Sequence, residues 1–126
     1  FAERVRTLTT DVYFMSSNAV TMDGILVNID GTGNRVAALC YGPKKVVLVV
    51  GANKIVGSED EAVARIKTDA CPPNCARLGK KTPCAVTGKC GNCLSQGNTI
   101  CSYTVSTRFC STGRLHVILV NEYLGY

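Results

Sequence analysis

The stretch "ILVNIDGTGNRVAALCYGPKKVVLVVG", Ile25 to Gly51, decides the fold. Ile25 to Ile29 reads as a short apolar strand. "DGTGN" follows as a glycine-rich turn. "RVAALC" then reads as a short apolar helix, closed at Gly42-Pro43, where proline cannot continue it. "KKVVLVV" is apolar at successive positions, as a strand covered on both faces is in a parallel sheet. Strand, turn, helix and strand in that order predict an α/β sheet.

Working outward toward the start, "SSNAVTMDG" is a polar loop whose Asp23-Gly24 predicts a hairpin-like approach to Ile25. "DVYFM", Asp11 to Met15, is another short apolar strand. "FAERVRTLTT" reads as the end of a helix, with Phe1, Val5 and Leu8 at helical spacing. A pattern that opens in mid-period predicts sequence before Phe1. Toward the end, "GSEDEAVARIKTDA" carries a capping box at Ser58 and Glu61 and three acids in its first turn, which predicts a helix. Pro72-Pro73 kinks or restarts that helix, and Gly79 stops it. "SYTVSTRF" and "RLHVILVN" read as two closing strands that add an antiparallel edge. His116, inside the second, reads as a hydrogen-bonded core residue and not as a ligand.

The 126 residues are 46% hydrophobic and 18% charged, which predicts one globular domain spanning 1–126. The net charge of +5 is dispersed: its longest basic runs are the pairs Lys44-Lys45 and Lys80-Lys81. Nucleic-acid binding needs a basic stripe, often with stacking rings, so no nucleic-acid partner is expected. A mildly positive surface suits a small anionic ligand better. The longest apolar run, Val46 to Val50, is far short of a span, and no membrane partner is expected. No signal-type leader is visible.

The second decisive stretch is "TPCAVTGKCGNCLSQGNTIC", Thr82 to Cys101, part of a cysteine-rich insertion over 71–101. Eight cysteines occur in all, at 40, 71, 75, 84, 90, 93, 101 and 110. Cys90-Gly91-Asn92-Cys93 brings two thiolates to one point, and glycine makes the turn easy. With Cys84 and Cys101 the spacing is C-x5-C-x2-C-x7-C. Four thiolates are the usual set for structural zinc or a cubane iron–sulfur cluster. Zinc ribbons carry two C-x-x-C pairs, and one is present here, so the uneven spacing suits a cluster slightly better. A disulfide framework is the competing reading, less suited to a chain with apolar α/β elements. Cys40 reads as a small hydrophobe in its helix. Cys71 and Cys75 lie one helical turn apart and join the site, pair, or stay free. Cys110 is a turn thiol.

The turn after Ile29 offers a ligand site. Helix N-terminal amides hold anions, and open α/β sheets bind ligands at the carboxyl ends of their strands. Asp30, Asn34 and Arg35 would be within reach. The alternative is an ordinary tight turn with Arg35 solvated or bridging to Asp30. The spacing is not that of a dinucleotide fingerprint.

The run "FMSSNAVTMDGILVNIDGTGNRVAALCYGPKKVVLVVG", with "RLGKKTPCAVTGKCGNC" and "RLHVILVNEYLGY", resembles the lactate-utilisation (LUD) domain family over nearly the whole chain. The resemblance implies an α/β three-layer sandwich with a mostly parallel sheet, similar to the NagB/RpiA/CoA-transferase group and carrying a cysteine-rich loop. It implies a cytoplasmic protein and a further N-terminal segment before Phe1. It implies a redox association of the lactate-utilisation type, a possible iron–sulfur partner protein and a possible homo-oligomer. By match, the pocket residues are Ser16, Ser17, Asn18, Thr21, Asp30, Gly31, Gly33, Asn34 and Arg35, joined by Asn121 and Glu122. The amides of the helix beginning at residue 33 and Arg35 would hold the ligand's carboxylate or phosphate. Relatives with the cysteine loop carry counterparts of Cys84, Cys90, Cys93 and Cys101, and commonly alanine where this chain has Cys71 and Cys75. The resemblance therefore implies those four as ligands of a 4Fe-4S cluster, with zinc as the alternative. No catalytic base or nucleophile stands out, Glu122 included, and no enzyme activity is assigned. A zinc-stabilised regulatory module and a CoA-transferase-like enzyme are the other readings.

Overall fold

The computed structural model describes residues 1–94 and 99–126. The chain passes through α1 (Ala2–Arg6), a 3-10 turn (Thr7–Thr9), β1 (Val12–Met15), β2 (Ala19–Thr21), β3 (Leu26–Asp30), α2 (Asn34–Cys40) and β4 (Lys45–Gly51). It continues through β5 (Ile55–Val56), α3 (Glu59–Arg65), a π turn (Ile66–Ala70), α4 (Cys71–Arg77), α5 (Pro83–Thr87), β6 (Tyr103–Thr107) and β7 (Leu115–Val120).

The class is α/β, as expected, and the apolar run of β4 is the centre of a parallel sheet, order β1-β4-β7. A second sheet, order β5-β2-β3-β6, is mixed. Its β2-β3 pair is the hairpin that Asp23-Gly24 predicts, with Gly24 at φ +89° and its N–H donating to the Thr21 carbonyl at 3.0 Å. Of the final two strands, β6 does form an antiparallel edge, on β3, while β7 joins β4 in parallel.

Two apolar clusters order the layers. Val46, Leu48 and Val50 of β4 meet Leu39 of α2 and Val20 and Leu26 of the second sheet. On that sheet's other side, Ala19, Val27 and Ile29 meet Ala62, Ile66, Ala70 and Cys71 of the α3–α4 helical run. The second sheet is thus covered on both faces. The outer face of the parallel sheet is open among the described residues: Phe14 is 72% exposed and Ile118 50%.

Helix starts follow the sequence signals. The Glu61 N–H donates to Ser58 Oγ at 3.2 Å, completing the cap of α3. Pro72 and Pro73 open α4 without interrupting it, because first-turn N–H groups lack intrahelical acceptors anyway. The π turn before it absorbs the change of register. Gly33 caps α2 at φ +83°, and a Cβ there would meet the Tyr103 ring at 3.2 Å. Gly33→Ala is expected to cost about 1–2 kcal/mol in urea unfolding, because φ is strained and the ring must move. An unchanged midpoint would mean the turn relaxes freely.

Three expectations are corrected, and one further strand is found. "SSNAVTMDG" contains the strand β2, not only loop, because Ser17 and Asn18 hydrogen-bond into β3 and draw the segment inward. "GANKIVG" holds the short strand β5. His116 is exposed, not a core residue, because β7 is an edge strand. Cys40 is exposed, lying at the last turn of α2 and off its buried Val36–Leu39 side.

Candidate functional site

The carboxyl end of β3 and the loop after β1 meet beside the α3–α4 run and enclose a cavity of about 770 Å³. A buried polar network builds its floor. Asn28, 0% exposed, accepts the Asn18 N–H at 3.0 Å and donates through Nδ2 to Ser17 Oγ at 3.1 Å. Asn18 Oδ1 in turn accepts the Ile29 N–H at 3.0 Å and an Arg35 guanidinium N–H at 3.2 Å. Arg65 donates to the carbonyls of Asn53 and Asn18, both at 2.9 Å. Each donor meets an acceptor, so burying these groups costs little.

Six of the nine expected pocket residues line this cavity: Ser16, Ser17, Asn18, Asp30, Gly31 and Arg35. Gly33 and Asn34 do not; they shape the turn. Nor does Thr21, which is buried in the β2-β3 turn and accepts the Ile25 N–H at 2.9 Å. Asn121 and Glu122 lie away from it, and the Glu122 carbonyl accepts the Ala52 N–H at 3.0 Å. That Glu122 bond ties the segment after β7 to the end of β4.

Two amides of the expected anion cradle have an acceptor within the protein. Asp30 Oδ2 accepts the N–H groups of Arg35 at 3.0 Å and Val36 at 3.3 Å, and lies 3.7 Å from Arg35 Nε. Arg35 spends a further donor on the Ile29 carbonyl at 2.9 Å. The Arg35 and Val36 amides of α2 are therefore paired with the protein's own carboxylate, as in the bridging alternative.

Other cations line the cavity: Lys54, Arg77, Lys80 and Arg4, against Asp30 as its one acid among the described lining residues. Lys54 is 6% exposed. Its ammonium donates to Ser16 Oγ at 3.2 Å. No salt bridge joins it to a carboxylate among the described residues. Burial, then Arg65 and Arg35 nearby, push its pKa down. The sequence signal was weak: a lysine between a strand and "IV" reads as surface.

Next to the cavity lies a smaller one of about 240 Å³. Six thiols line it: the loop set Cys84, Cys90, Cys93 and Cys101, with Cys71 and Cys75 of α4. All eight cysteines are free, so the disulfide framework is not formed. The helix pair thus joins the loop set. Cys101 Sγ lies 3.4 Å from Cys71 Sγ. That contact, with Lys67 and Thr99, lowers the Cys101 pKa to about 7. The same contact and burial push the Cys71 thiol up. Burial raises Cys75, which lies against Thr82 and Cys84. Thr82 Oγ1 is 3.3 Å from Cys84 Sγ. Cys84 is brought inward by α5, a short helix inside the loop that opens at Pro83 and closes at Gly88, φ +74°. Residues 95–98 of this loop lie outside the described residues. Among the described residues, no three His, Cys, Asp or Glu side chains are close enough together to hold a metal ion. The two cavities share Ile29, Cys71 and Thr99 as a common wall.

No described helix is long and apolar enough to cross a membrane. No curated protein and no solved structure matches the chain. A family model described as LUD domain matches residues 3–120, which takes in all seven strands, α4 and the six-thiol cavity. The chain belongs to the LUD domain family.

Proposed function

We propose that this LUD protein is a redox-associated ligand-binding protein of the lactate-utilisation type. A small anionic organic ligand would occupy the cation-lined cavity, and Cys84, Cys90, Cys93 and Cys101 would hold a 4Fe-4S cluster beside it. The observation that carries the reading is the shared wall: Cys71 lines both the cationic cavity and the six-thiol cavity.

The donor set suits the group in kind and number, since iron–sulfur clusters take four thiolates. Among the described residues the coordination distances are not formed, and the four loop thiols would have to draw together on binding. Such a cluster, once bound, supplies one-electron transfer, here to an iron–sulfur partner protein. The chain's own residues do the rest. Lys67 near Cys101 favours thiolate, as a ligand requires. Lys54 and Lys80 attract the anion, and Asp30 fixes Arg35 at the cavity's edge. Zinc bound by the same thiols would order the loop without redox chemistry.

The test is metal content and colour. Protein purified without oxygen is expected to carry about four irons and four sulfides per chain with broad visible absorption. Cys90→Ala is expected to bleach it and reduce iron to near zero. Stoichiometric zinc without colour would move the thiols to a structural role. If neither metal is bound, the cluster reading fails.

A further inference from the structure

We propose that Lys54 is a nucleophilic amine that captures the carbonyl group of an anionic substrate as an imine. The proposal deepens the anion-pocket reading and rests on it.

Lys54 follows β4 by three residues and turns inward. It is more than nine-tenths buried yet lines the large cavity. The tail closes over it: a Cβ on Gly125 would sit 3.4 Å from Nζ, and Tyr126 lines the same cavity. Structural buried lysines are held by a carboxylate. This one has a neutral partner, Ser16 Oγ, and Asp30 is already committed to Arg35 and to the amides of Arg35 and Val36. Desolvation and neighbouring cations are what make a lysine nucleophilic, and the depressed Lys54 pKa agrees with that environment. The remaining cations hold the substrate's carboxylate or phosphate, leaving its carbonyl for the amine.

The chemistry balances without an oxidant or reductant. The nitrogen lone pair attacks the carbonyl carbon, a C–N bond forms, and the π pair moves to oxygen. Protons leave the nitrogen and reach that oxygen, with the Ser16 hydroxyl placed to relay them. The C–O bond then breaks, water departs, and a protonated imine remains; counted from the ammonium, which first releases one proton to solvent, the sequence takes up none in net.

The whole chain would be incubated separately with pyruvate and with dihydroxyacetone phosphate, reduced with cyanoborohydride, and mapped by peptide mass. Oxalate, an anion that forms no imine under these conditions, would be titrated calorimetrically in parallel. The expected result is a reduced adduct concentrated on Lys54 with one of the two carbonyl compounds, which identifies the anionic group. Lys54→Arg keeps the charge and is expected to bind oxalate and lose the adduct. Adducts spread over exposed lysines such as Lys44 and Lys45, or absent, with oxalate still bound, overturn the imine and leave the pocket reading standing. Absence of both adduct and oxalate binding overturns both.

Discussion

Alanine at Asn28 is expected to cost about 3 kcal/mol of stability, a large loss for a domain held by roughly 5–15 kcal/mol. Asn28 is wholly buried and uses both ends of its amide. Its oxygen accepts the Asn18 N–H and its Nδ2 donates to Ser17 Oγ. Alanine removes two hydrogen bonds and leaves the Asn18 N–H without its acceptor. The Ser17 hydroxyl donates to the Ala19 carbonyl at 2.9 Å and accepts from Asn28 Nδ2, so Ser17→Ala is also expected to destabilise, by about 1–3 kcal/mol. Urea unfolding followed by circular dichroism measures both. The damage should also reach the cavity, because Asn18 Oδ1 holds Arg35. Oxalate affinity should therefore fall in Asn28→Ala even where the protein is fully folded. A loss below about 1 kcal/mol would mean water replaces the amide.

Asn28 also marks where sequence reading stops. Period and turn chemistry were enough for β3, α2, β4 and the helix capped by Ser58, because each is decided by neighbours in sequence. β2 was hidden: its stability comes from Ser17 and Asn18 bonding to residues ten and eleven positions on, and a polar run gives no hint of that. His116 was misread for the mirror reason. An apolar strand looks like core, and only the strand order reveals that β7 is an edge.

The site divides in the same way. The glycine turn points to Asp30, Asn34 and Arg35, and of these Asp30 and Arg35 line the cavity. What the first α2 amides bond to is a matter of geometry, and Asp30 accepts from those of Arg35 and Val36. The cysteine loop was plain in the sequence, yet the approach of Cys71 and Cys75 to it is tertiary. The π turn and the α4 start at Cys71 aim both thiols at the loop. Lys54 gave no signal, since its meaning comes from what does not pair with it.

Lys54→Met is expected to separate stability from binding. Methionine fills the same space without a charge, so the free protein should gain about 1–2 kcal/mol at neutral pH by losing a buried cation with no carboxylate partner among the described residues. The pH dependence has a definite sign. Burial and the nearby Arg65 and Arg35 lower the folded-state pKa of Lys54 below its unfolded value. Between those two values the unfolded chain binds more protons, so wild-type stability rises with pH through that window. The advantage of Lys54→Met should therefore be full below the lowered pKa and shrink as pH approaches the ordinary lysine value of about 10.4. Oxalate should reverse the ranking. An anion that pairs with Lys54 stabilises the wild type by mass action, while the variant is expected to bind it about a hundredfold more weakly. Thermal melts of both proteins with and without oxalate measure all of this at once. A variant that is less stable than wild type at neutral pH and binds oxalate equally well would make Lys54 a packing residue, and the cavity would then owe its anion affinity to Arg77 and Lys80. Loss of stability together with loss of binding would instead mean that Ser16 and the tail around Gly125 depend on the ammonium to hold their places.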